Sequence, residues 1–269
     1  MFSIQKALVT GGSSGIGKAI VDSLLREGCE VISVSRTVLP VTSFATGGAL
    51  HQIACDITDD QALGQAFEKV STLTSSLDIL FSNAGYGIAG AIADTPKELV
   101  ARQFDVNLFS SIEVIRNSLA YLEAAKGRII LTSSVAAVVS LPYQSFYSCT
   151  KASLNMLALA LNTELKQAGI RVIAVMPGDV ATPFTNNRDK YACPEATCDD
   201  RCGQSIAKME HDERTGAEPE VIAKRIIRIA KKGNPKPLYG LGFFYRSVLV
   251  VFKILPVRLS NLIIGWLYG

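Results

Sequence analysis

Short apolar runs alternate with longer amphipathic stretches along the chain. The runs Ala7–Thr10, Glu30–Ser35, Gln52–Cys55, Ile79–Ser82, Arg128–Ser133 and Arg171–Met176 predict strands. Between them, helical spacing of apolar positions predicts helices near 15–27, 59–71, 96–125 and 143–168. Strands that alternate with helices predict a parallel sheet covered on both faces. Ile129, Ile130 and Leu131, like Val172, Ile173, Ala174 and Val175, form near-continuous apolar runs, which suits strands buried on both sides. The expected fold is α/β, a doubly wound parallel sheet of about seven strands in a single domain. The main body is expected over 1–237, with an irregular insertion at 180–218, and an apolar, basic tail over 238–269.

The first strand runs into Gly11-Gly12-Ser13-Ser14-Gly15-Ile16-Gly17 and then a helix. Strand, glycine turn and helix is the context a dinucleotide site needs. Glycines let the backbone approach a pyrophosphate, and the helix start offers free N–H groups and a positive dipole. Alone, such a turn is also compatible with an ordinary loop.

Together with later segments the turn carries a resemblance. Thr10-Gly-x-x-x-Gly15-x-Gly17, Ser82-Asn83-Ala84-Gly85, Asn107, Ser133-Ser134 with Tyr147-x-x-x-Lys151, and Pro177-Gly178-Asp179-Val180-Ala181-Thr182 follow in order. In this the chain resembles the short-chain dehydrogenase/reductases over about residues 4–185, with Ser82 where that family carries a first Asn. The resemblance implies a Rossmann-like sheet and a nicotinamide cofactor. It implies cofactor contacts at Gly11, Ser13, Ser14, Gly15, Ile16, Gly17, Ser35, Arg36, Asp56, Ile57, Asn83, Ala84, Gly85, Tyr147, Lys151, Pro177, Gly178, Val180 and Thr182. Asn107, Ser134, Tyr147 and Lys151 are the implied catalytic residues, with Asn107 holding a water that relays protons to Lys151.

The residue chemistry fits that implication. Tyr147 and Lys151 share one face of a helix. A free tyrosine has a pKa of about 10 and is a poor base at neutral pH. A neighbouring ammonium is expected to lower it. Tyr147 then exchanges a proton with a carbonyl or alcohol oxygen as hydride moves to or from the nicotinamide, and Ser134 steadies the reacting oxygen. At the end of the second strand an acidic residue would favour NAD. Ser35 stands there and Arg36 follows, so NADP(H) is expected over NAD(H). Asp56 reads either as an adenine-side residue or as a helix cap.

Composition adds one asymmetry. Of 269 residues, 48% are hydrophobic and 19% charged, with a net charge of +3, which marks no nucleic-acid binder. After Glu220 there is no acidic residue, while Lys224, Arg225, Arg228, Lys231, Lys232, Lys236, Arg246, Lys253 and Arg258 follow. Five of these fall on one arc of a helix expected over Ala223–Lys232. Three readings of the tail stay open: it lies on an anionic membrane surface, it caps the site for a lipophilic substrate, or it completes the core or an oligomer interface. Neither a signal peptide nor a membrane span is expected. A cytoplasmic protein with reduced thiols is expected, with membrane association as one of the tail readings. Cys193, Cys198 and Cys202, with His211 beyond, are read as loop thiols rather than a metal site. His51 is read as a strand-edge residue.

The expected function is an NADP(H)-dependent interconversion of a carbonyl and a secondary alcohol on a bulky apolar substrate, such as a steroid, a retinoid or an acyl-glycerone lipid. The rivals are a 3-oxoacyl thioester reductase and a non-catalytic NADP sensor. By resemblance, a homodimer or homotetramer is the expected assembly.

Overall fold

The computed structural model describes residues 1–40, 47–190 and 201–268. Seven strands form one parallel sheet: β1 (Lys6–Thr10), β2 (Glu30–Ser35), β3 (Ala49–Ala54), β4 (Ile79–Ser82), β6 (Arg128–Thr132), β7 (Arg171–Met176) and β9 (Leu238–Gly240), in the order β3-β2-β1-β4-β6-β7-β9. The short strands β5 (Ile88–Ala89) and β8 (Asp189–Lys190) pair separately. The chain winds outward from β1 in one direction, then crosses to β4 and continues in the other. The carboxyl ends of β1 and β4 therefore flank the reversal point, where folds of this kind bind ligands.

Side chains alternate across the sheet. Ala7 and Val9 pack under α1 (Gly15–Arg26) and α7 (Pro219–Ala230). Leu8 faces α2 (Asp60–Leu73), α4 (Ser110–Ala125) and α5 (Ser145–Glu164). Both faces are dry, and Leu8, Leu80 and Ile129 are fully buried. Truncating any one to Ala costs roughly 2–5 kcal/mol. The remaining helices are α3 (Lys97–Phe104), α6 (Arg201–Arg214), α8 (Phe243–Ile254) and α9 (Val257–Tyr268).

Four expectations are corrected. The helix expected over 96–125 is interrupted by a π-helical turn at Asp105–Phe109. Leu238–Gly240 belongs to the central sheet, so the tail proper starts at Phe243. Cys202 is buried in α6 and disulfide-bonded rather than a reduced thiol, while Cys193 and Cys198 lie outside the described residues. The basic arc of α7 is the solvated side of a core helix. Lys231 pairs with Glu27 at the end of α1 and its carbonyl accepts from the Phe2 amide, beside the start of the chain, whereas Arg225 reaches Gly242 at the start of the tail. His51 lies on the edge strand β3, 3.2 Å from Glu30. Among the described residues no group of His, Cys, Asp and Glu is placed to hold a metal, and no helix is long and apolar enough to cross a membrane.

Candidate active site

The glycine turn sets the first wall. Gly17 is required by close approach, because a Cβ there would lie 2.2 Å from the Gly11 carbonyl oxygen. The helix start is thereby pressed onto the turn. Ser14 is the N-cap of α1, but its side chain makes no capping bond and the first turn holds no acid. The N–H groups there stay open to an anion. Thr10 ties this turn to β4, its Oγ1 accepting from the amides of Asn83 (3.0 Å) and Ala84 (3.2 Å). Thr132 on β6 donates to Asn83 Oδ1 at 3.2 Å. The Asn83 Nδ2 also donates to the Thr10 carbonyl at 3.4 Å, so the Asn83 side chain joins the ends of β1, β4 and β6 below the cleft.

At the end of β2, Ser35 is buried and donates to the Thr37 carbonyl, which fixes the turn that exposes Arg36. Asp56 accepts from the Thr58 amide and hydroxyl and does not cap α2, whose cap is Asp59. Against the pull of its partial burial, the Thr58 bonds and the Arg36 and Arg102 charges hold the Asp56 carboxyl below its usual range.

The four residues expected to be catalytic come from three elements. Tyr147 and Lys151 stand one turn apart on α5, with Lys151 Nζ 5.6 Å from the Tyr147 ring centroid. Lys151 Nζ donates to the Thr132 carbonyl at 2.8 Å and is buried. Ser134 follows β6, accepts from the Ala136 amide at 3.1 Å and lies beside the Tyr147 phenol. Asn107 sits buried in the π turn. Its Oδ1 accepts from the Tyr86 amide at 2.8 Å, and its Nδ2 donates to the Tyr86 carbonyl and to Thr150 Oγ1. The Asn107 side chain therefore ties the loop after Gly85 to Thr150, one residue before Lys151 on α5.

Electrostatics depart from expectation. Burial pushes the Tyr147 phenol up to about 12; Ser134 and Arg188 oppose this, and Glu213 adds to it. Burial also brings Lys151 down to about 8. Desolvation outweighs the ammonium's expected effect on the tyrosine. At neutral pH Tyr147 carries its proton and is a donor.

One cleft of about 1270 Å³ unites the predicted residues. Its lining includes Gly11, Ser13, Ser14, Gly15, Ile16, Ser35, Arg36, Asp56, Ile57, Asn83, Ala84, Gly85, Ser134, Tyr147, Lys151, Pro177, Gly178, Val180 and Thr182. Gly17 and Asn107 support the lining from behind. The far wall holds Phe184, Arg188 and Glu213, which the sequence reading missed, and the inner side of the tail, with Phe244, Tyr245, Val248, Phe252, Ile263, Ile264 and Leu267, which one of its three open readings placed over the site. Tyr245 is the tail's clasp. Its hydroxyl donates to the Asp179 carboxylate and accepts from the Asp179 amide. Its ring lies so close over Gly178 that a Cβ there would sit 2.1 Å from Cζ. At the other end the Tyr268 hydroxyl donates to Asp212 on α6.

This arrangement is shared with known proteins. The short chain dehydrogenase family matches residues 5–192. The 3-ketodihydrosphingosine reductase of Bacteroides thetaiotaomicron is 33% identical over 86% of this chain and 85% of its own length. The NADPH-dependent 1-acyldihydroxyacetone phosphate reductase of Saccharomyces cerevisiae is 33% identical over 93% of this chain and 86% of its own. The solved structure of L-sorbose reductase from Gluconobacter frateurii, complexed with NADPH and L-sorbose, superposes with a TM-score of 0.73 at 26% identity, covering 89% of this chain and 95% of that one. With the family match over residues 5–192 and relatives at 33% identity over most of its length, the chain belongs to the short chain dehydrogenase family of oxidoreductases.

Proposed function

We propose that the chain is an NADP(H)-dependent reductase of bulky, apolar ketones, interconverting a carbonyl and a secondary alcohol. The observation that carries this reading is the continuity of the cleft. Tyr147, Ser134 and Lys151 open directly onto the apolar wall made by Phe244, Val248, Phe252 and Leu267. Two of the relatives are named for lipid ketones. The open N–H groups of α1 suit a pyrophosphate, and the exposed Arg36 suits a 2′-phosphate.

When bound, the cofactor supplies or accepts the hydride. Ser134 Oγ holds the substrate oxygen. Tyr147 gives its proton to that oxygen as negative charge develops there. The Lys151 ammonium favours the phenolate left behind, and Asn107 keeps α5 in register with the loop after Gly85. All four groups are in place, which disfavours a non-catalytic sensor. The enclosing tail disfavours a 3-oxoacyl thioester reductase, whose carrier-bound substrate calls for an open, basic mouth. Residues 1–237 make the cofactor-binding and catalytic part in this reading, and the tail supplies substrate selection.

The test is NADPH consumption across ketones of increasing apolar size. Turnover that rises with size and falls about 10²–10⁴-fold in Tyr147→Phe is expected. Tight NADPH binding without turnover of any ketone would sink the reading in favour of the sensor.

The outer side of the same helices favours peripheral contact with an anionic membrane. Phe243, Ile254, Val257, Leu262 and Trp266 are each at least 69% exposed, and Arg246, Lys253 and Arg258 stand among them. Exposed Phe109, Met156 and Leu159 on and before the long helices α4 and α5 offer a separate patch for self-association.

A further inference from the structure

We propose that Arg188 is a substrate-binding residue, whose guanidinium donates to a second, uncharged oxygen of the substrate, a hydroxyl or carbonyl a few bonds from the carbonyl that Tyr147 protonates. The proposal rests on the reductase reading above.

The Arg188 side chain is 1% exposed. Its Nη2 donates to Glu213 Oε1, and Glu213 Oε2 accepts from Thr185 Oγ1 at 2.7 Å. That fixes the guanidinium plane. Its Nη1 is buried and has no hydrogen-bond partner. A buried charged donor without an acceptor costs more than about 1–3 kcal/mol, so the fold retains a donor that the chain itself leaves unused. The group is placed where a substrate passes. Arg188, Phe184, Glu213 and Tyr147 line the same cleft. The Arg188 Cζ lies 5.6 Å from the Phe184 ring centroid, and that ring lies 5.7 Å from the Tyr147 ring. One aromatic ring separates the donor from the acid–base group.

The surroundings choose the ligand's charge. Glu213 already balances the guanidinium. The Asp179 carboxyl, also lining the cleft, is pushed up first by burial and further by Glu213 and Asp212. An anionic headgroup at Arg188 would meet the Glu213 carboxylate across a cation that Glu213 already balances. A neutral oxygen takes the free N–H without that repulsion.

The experiment compares three substrates of equal chain length on the full chain: a 2-alkanone, its 1-hydroxy derivative and the phosphate ester of that derivative. The wild-type protein is expected to favour the hydroxyketone over the plain ketone by about 10- to 100-fold in kcat/KM, the range for a hydrogen bond to a charged group. Arg188→Met is expected to erase that preference, chiefly through KM, and Arg188→Lys to keep part of it. A purely structural role would lower all substrates by one factor and leave the ratios unchanged, which overturns the proposal. No wild-type preference for the hydroxyketone overturns it without any variant, and preference for the phosphate ester overturns the neutral class. Turnover of none of the three sinks the reductase reading, and this proposal with it.

Discussion

At the scale of single residues, the acid–base pair is defined by its dryness. Tyr147 rises to about 12 and Lys151 falls to about 8, each mainly by burial. Below pH 8 Lys151 is charged and Tyr147 is a ready proton donor, so carbonyl reduction should hold level there. As pH rises through about 8 the ammonium is lost first. Rates measured across pH 6–10 should then fall on that limb, and Lys151→Met should remove the inflection along with most of the activity. A second residue-scale prediction concerns cofactor choice. Ser35→Asp with Arg36→Ala should move kcat/KM from NADPH toward NADH by about tenfold or more, since a carboxylate repels a 2′-phosphate and accepts from a 2′-hydroxyl; an unchanged NADPH/NADH ratio would remove Arg36 from the cofactor site. These positions were legible because their chemistry is local to short motifs. Arg188 was not: in Asn186-Asn187-Arg188-Asp189 it reads as a solvated loop, and only folding brings Glu213 against it.

At the scale of elements, the strands were legible from their apolar runs, because burial on both faces leaves little room for polar residues. The π turn at Asp105–Phe109 was not, since one extra residue in a helical turn barely disturbs the apolar spacing. Nor was the tail's destination. The helices α8 and α9 carry apolar residues toward the cleft and toward the outside, so their pattern points in no single direction. The clasp makes the tail testable. Tyr245→Phe removes both bonds to Asp179 and should cost about 1–3 kcal/mol of stability in denaturant titration. Gly178→Ala displaces the Tyr245 ring and should raise KM for long substrates more than for short ones. Equal effects on both substrate lengths would show that the tail does not form the far wall.

At the scale of the whole molecule, charge is sorted by place rather than by chain segment. Lys224 and Arg228 of α7, with Lys231 and Lys232 just after it, lie by the chain start and Glu27, Arg225 reaches Gly242 at the start of the tail, and the bases of α8 and α9 are exposed. Arg225 and the tail's own bases are the ones placed to act with its exposed apolar side chains. The full chain should therefore sediment with vesicles containing anionic lipid and release at high salt. Phe243→Ser with Trp266→Ser should lose that binding while Lys224→Gln with Arg228→Gln retains it; the reverse pattern would place the contact on α7.

The Tyr245 ring rests on Gly178, in the turn proposed to line the cofactor end of the cleft, while its neighbours Phe244 and Val248 line the wall proposed for a long substrate. One helix therefore belongs to two compartments. A bulky occupant that holds α8 in place also holds the Pro177–Thr182 turn, the floor proposed for the nicotinamide, and its departure frees both. Exit should follow a fixed queue, the alcohol first and the spent dinucleotide after it, so that slow product departure throttles the exchange of cofactor.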